Sequence, residues 1–191
     1  MGRPSLVTVR RAELLDAVEE CITARGVAGT TVAAVAELAG TQPSKVHHYL
    51  GSRSEMITAA VERALHRVEA LVVDAMVNTP IHQRLEAQLD VLFSAALTAP
   101  EVNQLIDHLI AASYLDETIH DAVRAMYERF LAILVDSIDA SYPQAAASLR
   151  RSTAMAILAL AHASPTIDYL GVGTDTMRHS HEAARALLGR L

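Results

Sequence analysis

Cysteine, lysine, aromatic residues and long apolar runs are all scarce in this sequence. Cys21 is the one cysteine among 191 residues, so the chain cannot close a disulfide on itself, and a single free thiol fits the reducing cytoplasm. The longest apolar stretch, residues 154–163, is shorter than the ~18 residues that a membrane-spanning helix needs. No charged segment followed by an apolar run opens the sequence, so we expect neither a signal peptide nor a membrane partner.

The net charge is −6, and it is distributed unevenly. Residues 1–53 hold six basic and five acidic side chains, a net charge of +1, which leaves −7 for the rest. A protein that is acidic overall does not coat nucleic acid indiscriminately. The contrast predicts separate roles for the N-terminal segment and the acidic remainder.

Apolar residues make up 51% of the chain, and they recur at helical spacing rather than alternating as in strands. We expect an all-α protein: an N-terminal three-helix bundle with a helix-turn-helix, followed by a larger C-terminal helical domain for ligand binding and dimerisation. The expected helices are Val9–Arg25, Val32–Ala39, Pro43–Leu50, 53–77, Pro80–Leu97, Glu101–Ser113, Glu117–Asp139, Pro143–Ala163 and Asp175–Leu188.

Glycines and capping residues mark the ends of the first helices. Gly26 and Gly40 stand where helices stop, because glycine adopts the left-handed conformation of a helix end without strain. Thr30 and Thr31 are candidate caps of the second helix, and Ser52–Glu55 has the pattern of a capping box. Three short helices joined by tight turns have the dimensions of a helix-turn-helix, whose third helix enters the major groove.

The third helix carries the candidate base-reading side chains. Val46 and Leu50 are expected to turn inward, which leaves the polar residues for the groove. Lys45, the only lysine, can bond guanine or a phosphate, and Gln42 can pair with adenine. The imidazoles suit phosphates or base edges, and Tyr49 suits phosphate contact and core packing equally. The candidate DNA-contacting residues of this region are Thr31, Gln42, Ser44, Lys45, His47, His48 and Tyr49.

Two arginines outside the third helix complete the candidate DNA interface. Arg53 combines its charge with the free amides at the start of a helix, a favourable place for a phosphate. Arg3, beside Gly2 and Pro4, can reach a minor groove as part of a flexible arm or belong to an unstructured tail.

The run from Thr30 to Met56 resembles the DNA-binding signature of TetR-family regulators. It has a Thr-Thr-Val start, an Ala-Gly turn, and a short recognition helix that ends in aromatic residues. The resemblance covers about residues 10–60, and it implies an Ω-shaped homodimer, a palindromic operator and an effector that spreads the two reading heads. The sequence departs from the family pattern at His47, where tyrosine is usual, at Leu50 (phenylalanine), at Arg53 (lysine) and at Gln42 (a small capping residue).

We expect residues 1–52 to form the DNA-binding domain and residues 53–191 the effector-binding and dimerisation domain, with helix 53–77 connecting them. Apolar walls with few polar tips are typical of a ligand pocket, although the same residues are also typical of a helical core. Methionines and scarce aromatics favour an aliphatic or mixed effector, which the sequence does not identify. The candidate pocket residues are Leu92, Phe93, His108, Leu109, Tyr114, Met126, Tyr127, Phe130, Met155 and His162.

Every residue from Met155 to Ala161 is apolar, so this segment requires burial on several sides. A partner subunit is a ready source of that burial, which predicts a homodimer. We expect a charge at Leu158 or Leu160 to produce monomers or aggregates.

The sequence contains no pattern that predicts catalysis or a metal site. His179 and His181 are two positions apart and point to different faces of a helix. We therefore expect no enzyme activity, no metal and no cofactor. The leading hypothesis is a ligand-responsive transcriptional repressor that binds double-stranded operator DNA and an unknown small-molecule effector. The alternative is a helical ligand-binding or protein-interaction module that no longer reads DNA, which the net charge and His47 leave open.

Overall fold

The computed structural model describes residues 6–77, 79–94, 97 and 99–191, and every regular element within those ranges is helical. The all-α prediction is confirmed. The described part of the chain contains one short 3₁₀ turn, Ile81–Gln83, and nine α-helices. These are α1 (Leu6–Gly29), α2 (Val32–Leu38), α3 (Pro43–Leu50), α4 (Arg53–Val77), α5 (Arg84–Leu92), α6 (Pro100–Ser113), α7 (Glu117–Ser141), α8 (Ala147–Tyr169) and α9 (Thr176–Leu188).

Helix α1 continues beyond its predicted end at Arg25. Gly26 lies inside it with φ 68° and ψ 170°, so the helix kinks there and one further turn runs to Gly29. Glycine has no Cβ and takes this left-handed φ without strain. The Thr30 hydroxyl donates to the Gly26 carbonyl at 2.9 Å. Gly26, where the helix was predicted to end, is therefore a kink, and its carbonyl is hydrogen-bonded by a side chain.

Helix α8 begins and ends later than predicted. It starts at Ala147 rather than Pro143, and Arg150 donates to three backbone carbonyls of the segment before it, which holds that segment in a non-helical connection. It then continues past Pro165 to Tyr169. Proline lacks the N–H that closes a helical turn, but the added stretch is only about one turn long.

The chain divides into two compact units. Unit 1 comprises the chain up to His66 together with Gln104–Arg124. Helices α1, α2 and α3 pack on one another there, around fully buried side chains that include Val18 and Val46. The first half of α4 belongs to the same unit and buries Met56 completely.

Unit 1 is thus larger than the predicted domain of residues 1–52. The apolar side chains of α4, such as Ala60 and Val61, are buried within this unit rather than in a separate domain. The boundary at residue 52 remains a prediction about where the DNA-binding function ends.

A charged network ties α4 to α1 inside unit 1. Arg63 donates to Glu19 at 2.8 Å, to the Ala12 carbonyl at 3.0 Å, and to Asp16. The side chains of Arg63 and Glu19 are only 24% and 9% exposed. Partial burial opposes the charged guanidinium, but the hydrogen bonds to Glu19 and Asp16 outweigh it and raise the pKa of Arg63 above its ordinary value.

Unit 2 comprises Arg67–Asn103 and Ala125–Leu191. Helices α8 and α9 pack closely against each other, and α5 contacts α9. α5 is shorter than the predicted Pro80–Leu97, because a 3₁₀ turn occupies the residues just before it. Arg185 of α9 donates to Glu86 of α5 at 2.7 Å.

Helix α8 has one face in the core of unit 2 and another facing outward. Ile157 and Leu158 are buried, Leu160 is half-buried, and Met155 and Ala159 are exposed. The expectation for Leu158 is therefore corrected: a charge there would enter the core of its own subunit. Met155 and Ala159 are the residues of this segment that a partner could cover.

Among the described residues, no helix combines the length and the apolar character needed to cross a bilayer.

Candidate nucleic-acid interface

Helix α3 has one anchored face and one polar face. Val46 is completely buried and Leu50 is 3% exposed, so these two side chains fix the helix to the bundle as predicted. Ser44, Lys45 and His48 lie on the exposed side. The buried apolar side chains hold α3 in place, so the polar side chains on its other face are positioned without being needed for the fold.

The turn before α3 is closed by backbone hydrogen bonds. Gly40 has φ 57°, its N–H donates to the Glu37 carbonyl at 3.2 Å, and the Thr41 N–H donates to the Ala36 carbonyl at 2.9 Å. This pair of bonds is the Schellman arrangement that ends helices at a left-handed residue. The Ala-Gly turn therefore sets the direction in which α3 leaves α2.

Thr31 and Gln42 begin the two helices of the motif in different ways. The Thr31 hydroxyl accepts the Ala34 N–H at 3.1 Å and caps α2, as predicted for a threonine at this place. Gln42 precedes α3 and makes no side-chain cap bond, so its exposed amide is available to another partner. A DNA contact by either residue remains a prediction.

His47 and Tyr49 complete α3. His47 is exposed, whereas Tyr49 is half-buried and stands edge-on to the His48 ring with centroids 5.0 Å apart. Tyr49 is thus partly packed and partly accessible, and both of its predicted roles stay open. Arg3 lies outside the described residues.

Arg11 positions the end of α3, a role that the sequence did not predict. Its guanidinium donates to the Tyr49 carbonyl at 2.6 Å, at the end of α3. A charged donor on a terminal helix carbonyl is favourable, because those carbonyls have no partner inside the helix. The sequence shows a basic residue in α1, but it does not show that this residue binds a carbonyl 38 residues away.

A surface cleft of about 590 Å³ lies beside the exposed face of α3. Arg10 and Glu13 line it from α1 and are paired with each other at 2.6 Å. The whole lining is Arg10, Glu13, Leu14, Ala39, Thr41, Ser44, Lys45, His48 and Tyr49. Four predicted DNA-contacting residues, Ser44, Lys45, His48 and Tyr49, therefore share one cleft of mixed polar character.

Arg53 has a structural role that the sequence did not reveal. Its Nε donates to the Thr30 carbonyl at 2.8 Å, and one terminal nitrogen donates to the Val27 carbonyl at 2.6 Å. These bonds hold the start of α4 to the end of α1. The predicted phosphate contact of Arg53 stays a prediction, and it would use a guanidinium already engaged in the fold.

The predicted capping box at the start of α4 is present. The Ser52 N–H and hydroxyl donate to the Glu55 carboxylate at 2.8 and 2.7 Å, and the Glu55 N–H lies 3.3 Å from the Ser52 oxygen. These hydrogen bonds to the ionised carboxylate hold the pKa of Glu55 below its ordinary value. Gly51 precedes the box at φ 79°, and a Cβ there would lie 2.5 Å from the Glu55 carboxylate.

The ten candidate pocket residues fall into both units. His108, Leu109 and Tyr114 belong to unit 1, and the other seven, Leu92, Phe93, Met126, Tyr127, Phe130, Met155 and His162, belong to unit 2. Within unit 1, the His108 Nε2 donates to the Thr23 carbonyl at 3.1 Å. His108 thus contacts α1 rather than standing free as a polar tip.

Three members of that set are corrected by their exposure. Tyr114 is 82% exposed because it follows the last residue of α6, and Met155 is 50% exposed because it lies on the outward face of α8. His162, further along α8, is exposed as well. None of the three is a buried wall residue of its unit. Leu92, Met126 and Phe130 are buried in unit 2.

The remaining candidates of unit 2, which are Phe93, Tyr127 and His162, make polar or aromatic contacts with other side chains. The Tyr127 hydroxyl and the His162 Nδ1 are hydrogen-bonded at 2.8 Å. The Phe93 ring stacks on His181 with centroids 5.3 Å apart. In the part of the chain that the structure describes, no group of three or more metal-binding side chains comes together.

Known regulatory proteins resemble parts of this chain. Residues 14–60 match the family of bacterial regulatory proteins, tetR family. The HTH-type transcriptional regulators BetI of Brucella canis and Rhizobium meliloti are 37% and 33% identical to it over 105 and 103 residues. These alignments cover 53% of this chain and 52% and 50% of the relatives, so the chain spans about half the length of the curated relatives it matches.

Solved structures resemble the chain over nearly its whole length. A TetR transcription regulator from Haloarcula marismortui superposes with a TM-score of 0.81 at 17% identity, covering 96% of this chain and 98% of that one. A protein from Saccharomonospora viridis, solved in complex with choline, gives a TM-score of 0.78 at 16% identity, with coverages of 95% and 96%. At these identities the similarity establishes the shared fold.

Proposed function

We propose that this chain, whose residues 14–60 match the tetR family and which shares the TetR fold, is a ligand-responsive transcriptional regulator that binds double-stranded DNA through α3. The observation that carries the proposal is the two-sided construction of α3. Val46 and Leu50 anchor the helix, while Ser44, Lys45 and His48 remain exposed beside an open cleft.

The exposed side chains divide by the chemistry they offer. Lys45 supplies the cation for a guanine edge or a phosphate, and Gln42 supplies an amide that matches adenine. Ser44, His47 and His48 add hydrogen-bonding tips for phosphates or base edges. Thr31, Tyr49, Arg53 and Arg3 complete the proposed interface as phosphate and minor-groove contacts. A regulator that contacts DNA in this way would act in the cytoplasm.

We propose a homodimer that pairs through α8. Ser152, Met155, Ala159 and Ala163 are exposed and follow one another at intervals of three and four residues, so they form one face of the helix. Small side chains on such a face allow a second helix to approach closely. A two-fold dimer reads a palindrome whose half-sites are about 34–36 Å apart or a multiple of that distance.

The proposed effector is a small organic molecule that binds in the segment 53–191. The protein then acts as a repressor that leaves the operator when the effector binds. Three of the candidate pocket residues, Leu92, Met126 and Phe130, are buried in unit 2. The choline in the Saccharomonospora viridis structure supports a small-molecule ligand for a protein of this fold. An effector shifts the operator affinity only by its preference for one of the two conformations.

A second candidate function is a helical ligand-binding module that does not read DNA. The arginine contacts favour it: Arg11 and Arg53 donate to backbone carbonyls, and Arg10 is paired with Glu13. Affinity for DNA depends on cations that are free to displace counterions from phosphates. The net charge of −6 adds to this argument.

Selection of bound duplexes from a random DNA library, at ~50 and ~200 mM salt, separates the two candidates. We expect a palindrome to be enriched, and binding to weaken at the higher salt. Lys45→Ala should lower the operator affinity about tenfold, as expected for the loss of one charged base or phosphate contact. The matched control is Arg190→Ala, which removes the same charge from an exposed site after α9. Absence of enrichment at both salt concentrations would favour the module without DNA binding.

A further inference from the structure

Gln88 of α5 is a fully buried polar residue in unit 2. Its Nε2 donates to the Ser137 hydroxyl at 2.8 Å and lies 3.4 Å from the Ile133 carbonyl and against the Met76 sulfur. Its Oε1 is equally buried, and it has no hydrogen-bond partner among the described residues. Half of this amide is therefore used by the fold and half is not.

An unpaired buried acceptor destabilises a protein, because the oxygen loses its water and gains no donor in return. Exchanging the oxygen and nitrogen of the amide does not help, because the nitrogen would then be the buried atom without a hydrogen-bond partner. A leucine or methionine would fill a similar volume at this position without that loss. The amide is thus unfavourable for stability alone, as is typical of groups that serve a ligand.

Apart from the Ser137 hydroxyl and the Ile133 carbonyl, the surroundings of Gln88 are apolar and uncharged. Leu85 and Leu92 lie on the same face of α5, three and four residues away, and both are buried. The acidic residues of α5 lie on its exposed side, where Glu86 binds Arg185. Among the described residues of unit 2, none of the buried side chains carries a charge.

The amide also lies close to the surface. Met76 and Ser137, which contact its Nε2, are both only half-buried. The Met76 side chain is flexible, and its displacement would open a way to the amide from the Nε2 side.

On the basis of the proposed function, we propose that Gln88 Oε1 is the hydrogen-bond acceptor of the effector site in unit 2. The geometry points to an uncharged, mainly aliphatic ligand that carries a hydroxyl or an amide N–H. The donor satisfies Oε1, and the aliphatic part packs on the neighbouring leucines. A permanently charged ligand is excluded from this position, because no buried charge is there to balance it.

The test uses two isomers that differ in their hydrogen-bond donor. 1-Octanol has a hydroxyl, whereas 1-methoxyheptane has the same atoms and only an acceptor. Binding of each to the full chain is measured by calorimetry or by saturation-transfer NMR. We expect the alcohol to bind about tenfold more tightly than the ether, which is the effect of one hydrogen bond to a buried acceptor.

Gln88→Met removes the acceptor with little change in volume. We expect it to abolish the preference for the alcohol and to raise the melting temperature of the free protein. Ser137→Ala is the matched control: it removes the partner of Nε2, so it should lower the melting temperature and keep the preference for the alcohol.

Equal binding of the two isomers by the wild-type chain, or no binding of either, would overturn the proposal. A loss of stability in Gln88→Met with an unchanged alcohol preference would overturn it as well, and would make the amide a structural group. Operator binding is measured in parallel on the same variants. If the wild type binds its operator and shows no alcohol preference, the ligand inference fails and the proposed function stands.

Discussion

Unit 1 and unit 2 join their helices by different kinds of polar contact. In unit 1 most of these contacts run from a side chain to the backbone of another helix: Arg11 to the Tyr49 carbonyl, Arg63 to the Ala12 carbonyl and His108 to the Thr23 carbonyl. The Arg63 bonds to Glu19 and Asp16 are the side-chain pairs among them. A carbonyl in a helix has a direction fixed by the helix. These bonds therefore set how neighbouring helices meet.

In unit 2 the corresponding contacts mostly join one side chain to another. Tyr127 binds His162, Ser164 binds Ser180 at 2.6 Å, and Arg185 binds Glu86. Pairs of side chains can be replaced together without moving a helix. Such a framework tolerates changes in the residues that line a ligand site, whereas the framework of unit 1 preserves the placement of α3. The recognisable family match at residues 14–60 lies within the first framework.

The largest expected effect comes from placing a charge on the two faces of α8. Leu158→Asp buries an unpaired carboxylate in unit 2 and should reduce the free energy of unfolding by more than about 3 kcal/mol. Met155→Asp places the same charge on an exposed position and should leave the helix content intact while dissociating the proposed dimer. Circular dichroism and light scattering measure the two effects. A helical, dimeric Met155→Asp protein would place the interface elsewhere.

The next effect tests the ion network of unit 1. Arg63→Ala removes the guanidinium that binds the largely buried Glu19, so we expect a loss of about 2–3 kcal/mol in the free energy of unfolding. Urea titration followed by circular dichroism is suitable, since the chain has no tryptophan. Arg178→Ala serves as control, because it breaks only exposed pairs on α9 and should change little. Equal losses in the two variants would contradict a special role for the network.

The smallest effect concerns the capping box, and it depends on pH. The pKa of Glu55 is lowered in the folded state, so its stabilisation is fully present above the ordinary value of 4.5 and is lost as the pH falls through the lowered value. Glu55→Gln should therefore have a lower urea midpoint than the wild type at pH 7, and the difference should shrink below pH 4.5. A difference that stays constant down to pH 3 would mean that the ionised carboxylate adds nothing.

Local chemistry allowed the sequence alone to predict much of unit 1. The cap at Thr31, the left-handed Gly40 and the box at Ser52–Glu55 each depend on residues no more than four or five positions apart, and each is present. The inward turn of Val46 and Leu50 also followed, because helical periodicity places them on one face. Helix boundaries were less accurate where a side chain binds the neighbouring backbone, as Arg150 of α8 binds the carbonyls of the segment before that helix.

Only the tertiary structure decided what the longer side chains bind. Arg53 reaches carbonyls 23 and 26 residues away, and composition gives no indication of that distance. In the apolar segment of α8, the identity of the residues predicts burial but not direction, so Met155 and Leu158 could be told apart only once the neighbouring helices were in place. Gln88 is the same case: a glutamine in an amphipathic helix is ordinary in the sequence, and the packing around it leaves its oxygen buried with no partner among the residues that the structure describes. Sequence determines local conformation through nearby atoms, whereas the partner of a side chain depends on which distant segments the fold brings beside it.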